Sequence, residues 1–442
     1  MALEQGVPSD SGAALRLRTV IACNIGVCLE GFDFIAYTAF AAIIGKLFFP
    51  AGDAFAGALL VFGGFGAAYV ARPIGGLFWG VYADRFGRRR ALASIAVLMG
   101  LGTLGIAVAP AYAAVGMAAP VIVLAARLVQ GFAASGEFAS ATAMLVELAP
   151  PGRRAFFAST QMAAQVATIG FATGVAILLA DMLTPEALES WGWRLVFGLG
   201  ALLAPFGLYM RARLAESPVF LAMQARGAAQ RTPIADILSK HAGALAQMAG
   251  IVVISAAALY LILVFMPVFA SQQLGLPPRD VRLTVILCAF AEMPFVLLAG
   301  WVADRWGAAR LLLIATLAYA LIAPPLLVWL VHAPSMAAFV LVELACALLL
   351  GVMTGPMPLV ISGLLPAGVR SSGIGLVFNL VGAIFGGLGP FLITAYVGMT
   401  GDLAGPAWWA LLTAVIGILA AGSVLRYAGD GAVGAPGEES RT

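Results

Sequence analysis

Apolar residues along this chain gather into long runs separated by short polar segments, with none of the strict alternation of a half-buried strand. Roughly twelve runs reach about 20 residues, the length that carries a helix across a hydrocarbon core of about 30 Å. They fall near 19–47, 57–82, 91–109, 119–147, 156–181, 194–212, 243–270, 283–303, 309–331, 336–363, 371–398 and 404–426. A backbone in hydrocarbon must bond to itself, so every run is predicted to be a helix. The expected fold is all-α and integral to the membrane.

Two tracts divide this pattern. Gly80-Val81-Tyr82-Ala83-Asp84-Arg85-Phe86-Gly87-Arg88-Arg89-Arg90 returns as Gly300-Trp301-Val302-Ala303-Asp304-Arg305-Trp306-Gly307-Ala308-Ala309-Arg310. A weaker echo pairs Pro150-Pro151-Gly152-Arg153-Arg154 with Pro366-Ala367-Gly368-Val369-Arg370. A loop duplicated half a chain apart marks two pseudo-symmetric halves, the build of carriers that work by alternating access. The longest polar stretch, 213–242, is the natural linker. The expected organisation is a cytoplasmic N-terminus (1–18), a six-helix bundle (19–212), the linker (213–242), a second six-helix bundle (243–427) and a cytoplasmic tail (428–442).

In the duplicated loop, Gly76, Gly80 and Gly87 permit close helix contact and a tight turn. Asp84 ends its helix at the cytoplasmic face, where it can meet an arginine or the N-terminus of a neighbouring helix. With Arg85, Arg88, Asp304 and Arg305 it forms a candidate conformational latch; the plainer alternative is a loop that only sets topology.

Composition supports the membrane reading: 62% of residues are hydrophobic and 10% charged, which excludes a soluble domain of 442 residues. Net charge, +3, says little, but its placement decides orientation. Arg85, Arg88, Arg89, Arg90, Arg153, Arg154, Arg211, Arg213, Arg226, Arg231, Lys240, Arg305, Arg310 and Arg370 fall in alternate loops, against Lys46, Arg194, Arg279 and Arg282 opposite. That bias puts both termini and the linker in the cytoplasm. No signal peptide is expected. Cys23, Cys28, Cys288 and Cys346 lie in apolar runs without metal-ligand spacing, and His241 and His332 sit at run ends. No GxxxxGK[ST] tract occurs, so a gradient rather than ATP hydrolysis by this chain or a cofactor is expected to drive accumulation.

Charges inside the runs are the candidate chemistry, because an ionisable group in hydrocarbon costs at least about 2.5–3.5 kcal/mol. Glu30 lies roughly 15 Å and Asp33 roughly 20 Å from the inner boundary, on one face with Tyr37. Arg127 matches the depth of Asp33, and Arg72 that of Glu30, so Asp33–Arg127 and Glu30–Arg72 are predicted facing pairs. A pair that opens and closes loads and releases a proton; the rival reading is static pairs that fix helix register. Glu137 is a further proton-carrier candidate, two turns from Gln130, and Glu147 a loop or cap partner. Gln161 and Gln165 form a polar stripe suited to substrate contact or to interhelical bonding. The second half offers Tyr260, Ser255 and Asn379, and the carboxyls Glu292 and Glu343, for which no partner is evident.

These residues resemble the major facilitator superfamily and, within it, the metabolite:proton symporters. The tract 80–90 is similar to the superfamily's loop signature. The narrower family is resembled by Glu30-Gly31-Phe32-Asp33-Phe34, Arg72-Pro73-Ile74-Gly75-Gly76, Arg127-Leu128-Val129-Gln130-Gly131-Phe132 and Gly136-Glu137. Trp191-Gly192-Trp193-Arg194 and Glu216-Ser217-Pro218-Val219-Phe220 add to it, and the segment 383–388, Thr400-Gly401-Asp402 and Trp408-Trp409 look most like the citrate and tricarballylate branch. Ser135 and Ala308-Ala309 depart from the pattern.

The resemblance implies the major facilitator fold and proton-coupled symport of a small organic carboxylate, citrate or tricarballylate favoured, by a monomer in a bacterial inner membrane. It also points to Asp33, Arg127 and Glu137 as functional positions. Arg127 is the first choice for the substrate carboxylate, in competition with Asp33. The alternatives are a porter for a zwitterionic osmolyte such as proline or betaine, and a nutrient receptor without flux. An enzyme, a metal site and a nucleic-acid partner are not expected.

Overall fold

A computed structural model describes residues 9–49, 67–225 and 234–429. Among them, eleven helices are long and apolar enough to cross a membrane: α1 (Leu17–Ala39), α3 (Arg88–Val108), α4 (Ala118–Leu148), α5 (Arg154–Met182), α6 (Pro185–Ala212), α7 (Ala242–Gln272), α8 (Pro278–Trp306), α9 (Ala308–His332), α10 (Met336–Gly363), α11 (Arg370–Thr400) and α12 (Gly405–Arg426). A further helix of 20 residues, α2 (Ala67–Phe86), begins where the description resumes after residue 66. The protein is an all-α, multi-pass membrane protein.

Most helices start and stop within a few residues of the apolar runs. The run at 19–47 is two helices: α1 ends at Ala39, and Ala41–Phe48 follows across a bend at Phe40. A single bent residue inside an apolar run leaves no mark on the hydrophobic pattern. α6 begins nine residues before the expected 194, at Pro185, because the Thr184 hydroxyl accepts from the Ala187 N–H and proline suits a first helical position. The first part of the 57–82 run lies outside the described residues.

Two helices widen where proline removes a donor. α7 carries a π turn, Leu261–Phe265, just ahead of Pro267, and α11 carries one at Gly382–Gly387 ahead of Pro390. Such turns rotate the side chains that precede them, here Tyr260 and Asn379.

The first six helices meet the last six along two seams that depend on glycine. A Cβ on Gly76 of α2 would run into the Gly375 carbonyl of α11, and one on Gly80 would lie 2.6 Å from the Ser371 carbonyl. On the other seam Gly300 of α8 lies flat on Ser159 of α5. Gly87 (φ 102) and Gly307 (φ 93) turn the two repeated loops in the region of backbone space that L side chains disfavour.

Candidate functional site

A cavity lies between the halves, walled by Glu30 and Phe34 of α1, Tyr69 and Arg72 of α2, Gln165 of α5 and Tyr260 of α7, with Asn379 and Phe378 of α11 completing it. Glu30 and Arg72 are its charged lining residues. Arg72 Nη2 donates to Glu30 Oε1 at 2.7 Å, and its guanidinium stands 4.9 Å from the centre of the Tyr69 ring. The depth match of these two residues along separate helices is thus met by a direct ion pair.

Contacts between the halves flank the cavity at both ends. At the Tyr69 end the Tyr69 and Tyr260 hydroxyls are hydrogen-bonded, and Phe34 sets its ring edgewise against both, 6.0 and 6.2 Å between centroids. Farther out, Arg279 of α8 donates to Asp181 of α5 at 3.0 Å. At the opposite end Phe138 of α4 stacks on Phe378 of α11, centroids 3.7 Å apart. Asn379 Nδ2 donates across the seam to the Ser135 carbonyl at 2.7 Å.

The expected Asp33–Arg127 pair is not made. Gln130 stands between them: its Nε2 donates to Asp33 Oδ2 at 2.7 Å, and its Oε1 accepts from Arg127 Nη1 at 3.1 Å. Gln130 is one turn from Arg127 on α4, so its amide reaches both partners. Thr103 of α3 also donates to Asp33, whose Oδ1 has no hydrogen-bond partner. Arg127 packs its guanidinium on Tyr37, 4.1 Å from the ring centre. Asp33, Tyr37, Arg127 and Gln130 are therefore a buried cluster within the first half, behind the cavity wall rather than in it.

Glu137 likewise has a partner that the depth argument missed. Arg211, fully buried near the end of α6, donates to Glu137 and also to the Ala22 and Leu92 carbonyls at 3.1 and 2.8 Å. One guanidinium thereby ties α1, α3, α4 and α6 together. Its position among the arginines of alternate loops disguised it as a topology signal. Gln161 is also turned away from the cavity, accepting from Thr142 at 2.8 Å and donating to the Phe138 carbonyl at 3.2 Å. Gln165, one turn on, faces the cavity.

At the end of the bundle that carries the repeated loops, each repeated aspartate meets the N-terminus of a helix in the other half. Asp84 accepts from the Ser371 and Ser372 backbone N–H groups at 3.2 and 2.8 Å and from the Ser372 hydroxyl at 2.8 Å. Asp304 accepts from Ala155 and Phe156 of α5 at 2.8 and 2.9 Å. Helix N-termini favour negative charge, so both contacts are attractive.

The two ends are not equal. Arg88, fully buried, lies 3.5 Å from Asp84 and 3.3 Å from Glu147, which also takes Arg370 at 2.9 Å and the Ser217 hydroxyl. Ala308 stands where the second copy would need its Arg88. Arg85 and Arg305 face outward, over Phe86 and Trp301. Glu216 caps α3, accepting from the Arg88 N–H at 3.0 Å; only its place beside Ser217-Pro218 marked it in the sequence.

Comparison with known proteins settles the family. The Major Facilitator Superfamily pattern matches residues 24–390. The chain belongs to that superfamily. It is 35% identical over 405 residues to a citrate-proton symporter of Klebsiella pneumoniae, covering 92% of this chain and 91% of that one. It is 29% identical to a proline/betaine transporter of Salmonella typhimurium, over 91% of this chain and 82% of that one. The solved proton:xylose symporter bound to 6-bromo-6-deoxy-D-glucose superposes with a TM-score of 0.76 at 18% identity, covering 94% of this chain and 96% of that one. This superfamily member is a transporter, not an enzyme.

Proposed function

We propose that the protein is a proton-coupled symporter of a small organic carboxylate, a di- or tricarboxylate such as citrate or tricarballylate. It works by alternating access, as a monomer in a bacterial inner membrane with both termini cytoplasmic, and needs no cofactor beyond the proton gradient. The observation that carries this reading is the Glu30–Arg72 pair in the cavity wall. A substrate carboxylate that takes the planar guanidinium of Arg72 must displace Glu30. A carboxylate stripped of its cation within the membrane then binds a proton. Substrate and proton enter together because each removes the obstacle to the other.

The competition expected at Arg127 is here assigned to Arg72, while Asp33, with an unpartnered oxygen, is a second proton-holding candidate. Once Glu30 is neutral the wall carries one positive charge, enough for one carboxylate. Remaining carboxyls of a larger acid would bond to Gln165, Tyr260 and Asn379. A second reading has an observation of its own. Phe34, Tyr69, Phe138, Tyr260 and Phe378 line the cavity, and aromatic faces suit the quaternary ammonium of betaine.

The test is uptake into proteoliposomes under an imposed inward proton gradient, with citrate, tricarballylate, proline and betaine, each with and without a protonophore. Accumulation of one acid that the protonophore abolishes supports carboxylate symport. Accumulation of proline or betaine alone selects the second reading, and binding without flux selects a receptor.

A further inference from the structure

The α8–α10 seam buries two carboxyls that this transport scheme does not use. Glu292 of α8 and Glu343 of α10 are 0% and 1% exposed, and neither lines the cavity. Both oxygens of each have no hydrogen-bond partner among the described residues. The Tyr319 hydroxyl of α9, also fully buried, is likewise without one.

The titratable groups around them are few. Cys288, one turn from Glu292, is within electrostatic reach of both carboxyls. Cys346 and Tyr319 are within reach of Glu343. Among the described residues no lysine, arginine or histidine is bonded to either acid. The helices α5, α7, α8, α9 and α10 thus supply nothing positive to hold an ionised carboxylate in this part of the membrane. Such groups are neutral acids or they are not tolerated.

Their arrangement is a ladder. A Cβ on Gly351 of α10 would lie 2.9 Å from Glu292 Cγ, so Glu292 is level with Gly351. Glu343 lies two turns farther out on α10, a rise of about 12 Å, with Cys346 and Cys288 between the two levels. α8 is also the helix that faces both ways. Gly170 of α5 packs on its Ala289 and Phe290, and Asp304 fastens its cytoplasmic end to α5. Rocking of the halves therefore acts on α8, which Gly351 and Gly355 of α10 let approach closely with no side chain between.

We propose that Glu343 and Glu292 are two further proton-binding positions, both loaded in this state and opened to water when α8 shifts against α10. Their role rests on the symport reading but is tested apart from it. Infrared difference spectra of the full-length protein in lipid, titrated from mildly acidic to mildly alkaline pH with and without substrate, report protonated carboxyls directly. Glu292→Gln and Glu343→Gln should each remove one acid carbonyl band that responds to pH in the wild type. Bands that are absent, or present but unresponsive, overturn the proposal whether or not flux is seen.

In proteoliposomes, a carrier that loses one coupling proton should accumulate about tenfold less substrate across a gradient of one pH unit. Glu343→Asp, which keeps the acid, should restore most of that accumulation. Undiminished accumulation in both glutamine variants also overturns the proposal. A wild type without protonophore-sensitive uptake would instead reject symport, and the spectra would still decide the protons.

Discussion

The Tyr69 and Tyr260 hydroxyls are hydrogen-bonded across the join between α2 and α7, directly above the cavity. Because Arg72 stacks on the same Tyr69 ring, the residue that would hold substrate touches the residue that closes over it. In the proposed transport scheme, occupancy and closure are coupled through that one side chain.

Tyr69→Phe and Tyr260→Phe keep the rings and delete that bond. A net hydrogen bond of about 0.5–1.5 kcal/mol implies a closed population reduced by roughly two- to tenfold. Spin-label distances between the outer ends of α2 and α7 should lengthen equally in both variants. Unchanged distances would show that Phe34 and the Arg279–Asp181 pair suffice to close the outer side.

Arg72→Lys keeps the charge but loses the planar fork, and the apparent KM should rise at least about tenfold, the worth of a charged hydrogen bond. Arg127→Lys should leave KM within about threefold, because that guanidinium is bonded to Gln130 behind the wall. Initial-rate uptake measures both. The reverse ranking would return the substrate carboxylate to Arg127.

Arg211→Met strands Glu137 in the first half, and breaking a buried pair from one side costs about 3–5 kcal/mol. The melting temperature in detergent should drop sharply, and Glu137→Gln in the same chain should recover most of the loss. Simple addition of the two losses would argue that the residues do not act as a pair.

Asp84→Asn and Asp304→Asn both weaken a helix N-terminal contact, but only Asp84 also faces a buried arginine. That end of the bundle should open in both, and further in Asp84→Asn. Thiol labelling of cysteines placed at Ser371, whose bond to Asp84 is from the backbone, and at Ser159, in a background without the native cysteines, reads the two seams separately. Equal labelling would mean that Arg88 and Glu147 add nothing to the latch.

Much of this site was legible because a helix converts sequence position into depth at a constant rise. That regularity brought Glu30 level with Arg72 and set Asp84 at a helix end, where a neighbouring N-terminus was one of the partners available to it. Depth is only one coordinate. Asp33 and Arg127 were level as well, yet a glutamine one turn along α4 intervenes. Arg211 was read as a loop charge, although its side chain turns inward to three different helices.

What the amino-acid sequence determined by itself is the set of apolar runs, their helical form and the twofold repeat, because bilayer thickness and backbone hydrogen bonding leave little choice once the residues are apolar. What only the tertiary structure decided is azimuth: which face of each helix meets which neighbour. Glu30, Gln165 and Tyr260 look into the cavity while Asp33, Gln161 and Glu137 look away from it. The rotation of a helix about its axis is set by packing against its partners, at glycine contacts and π turns that apolar periodicity does not resolve.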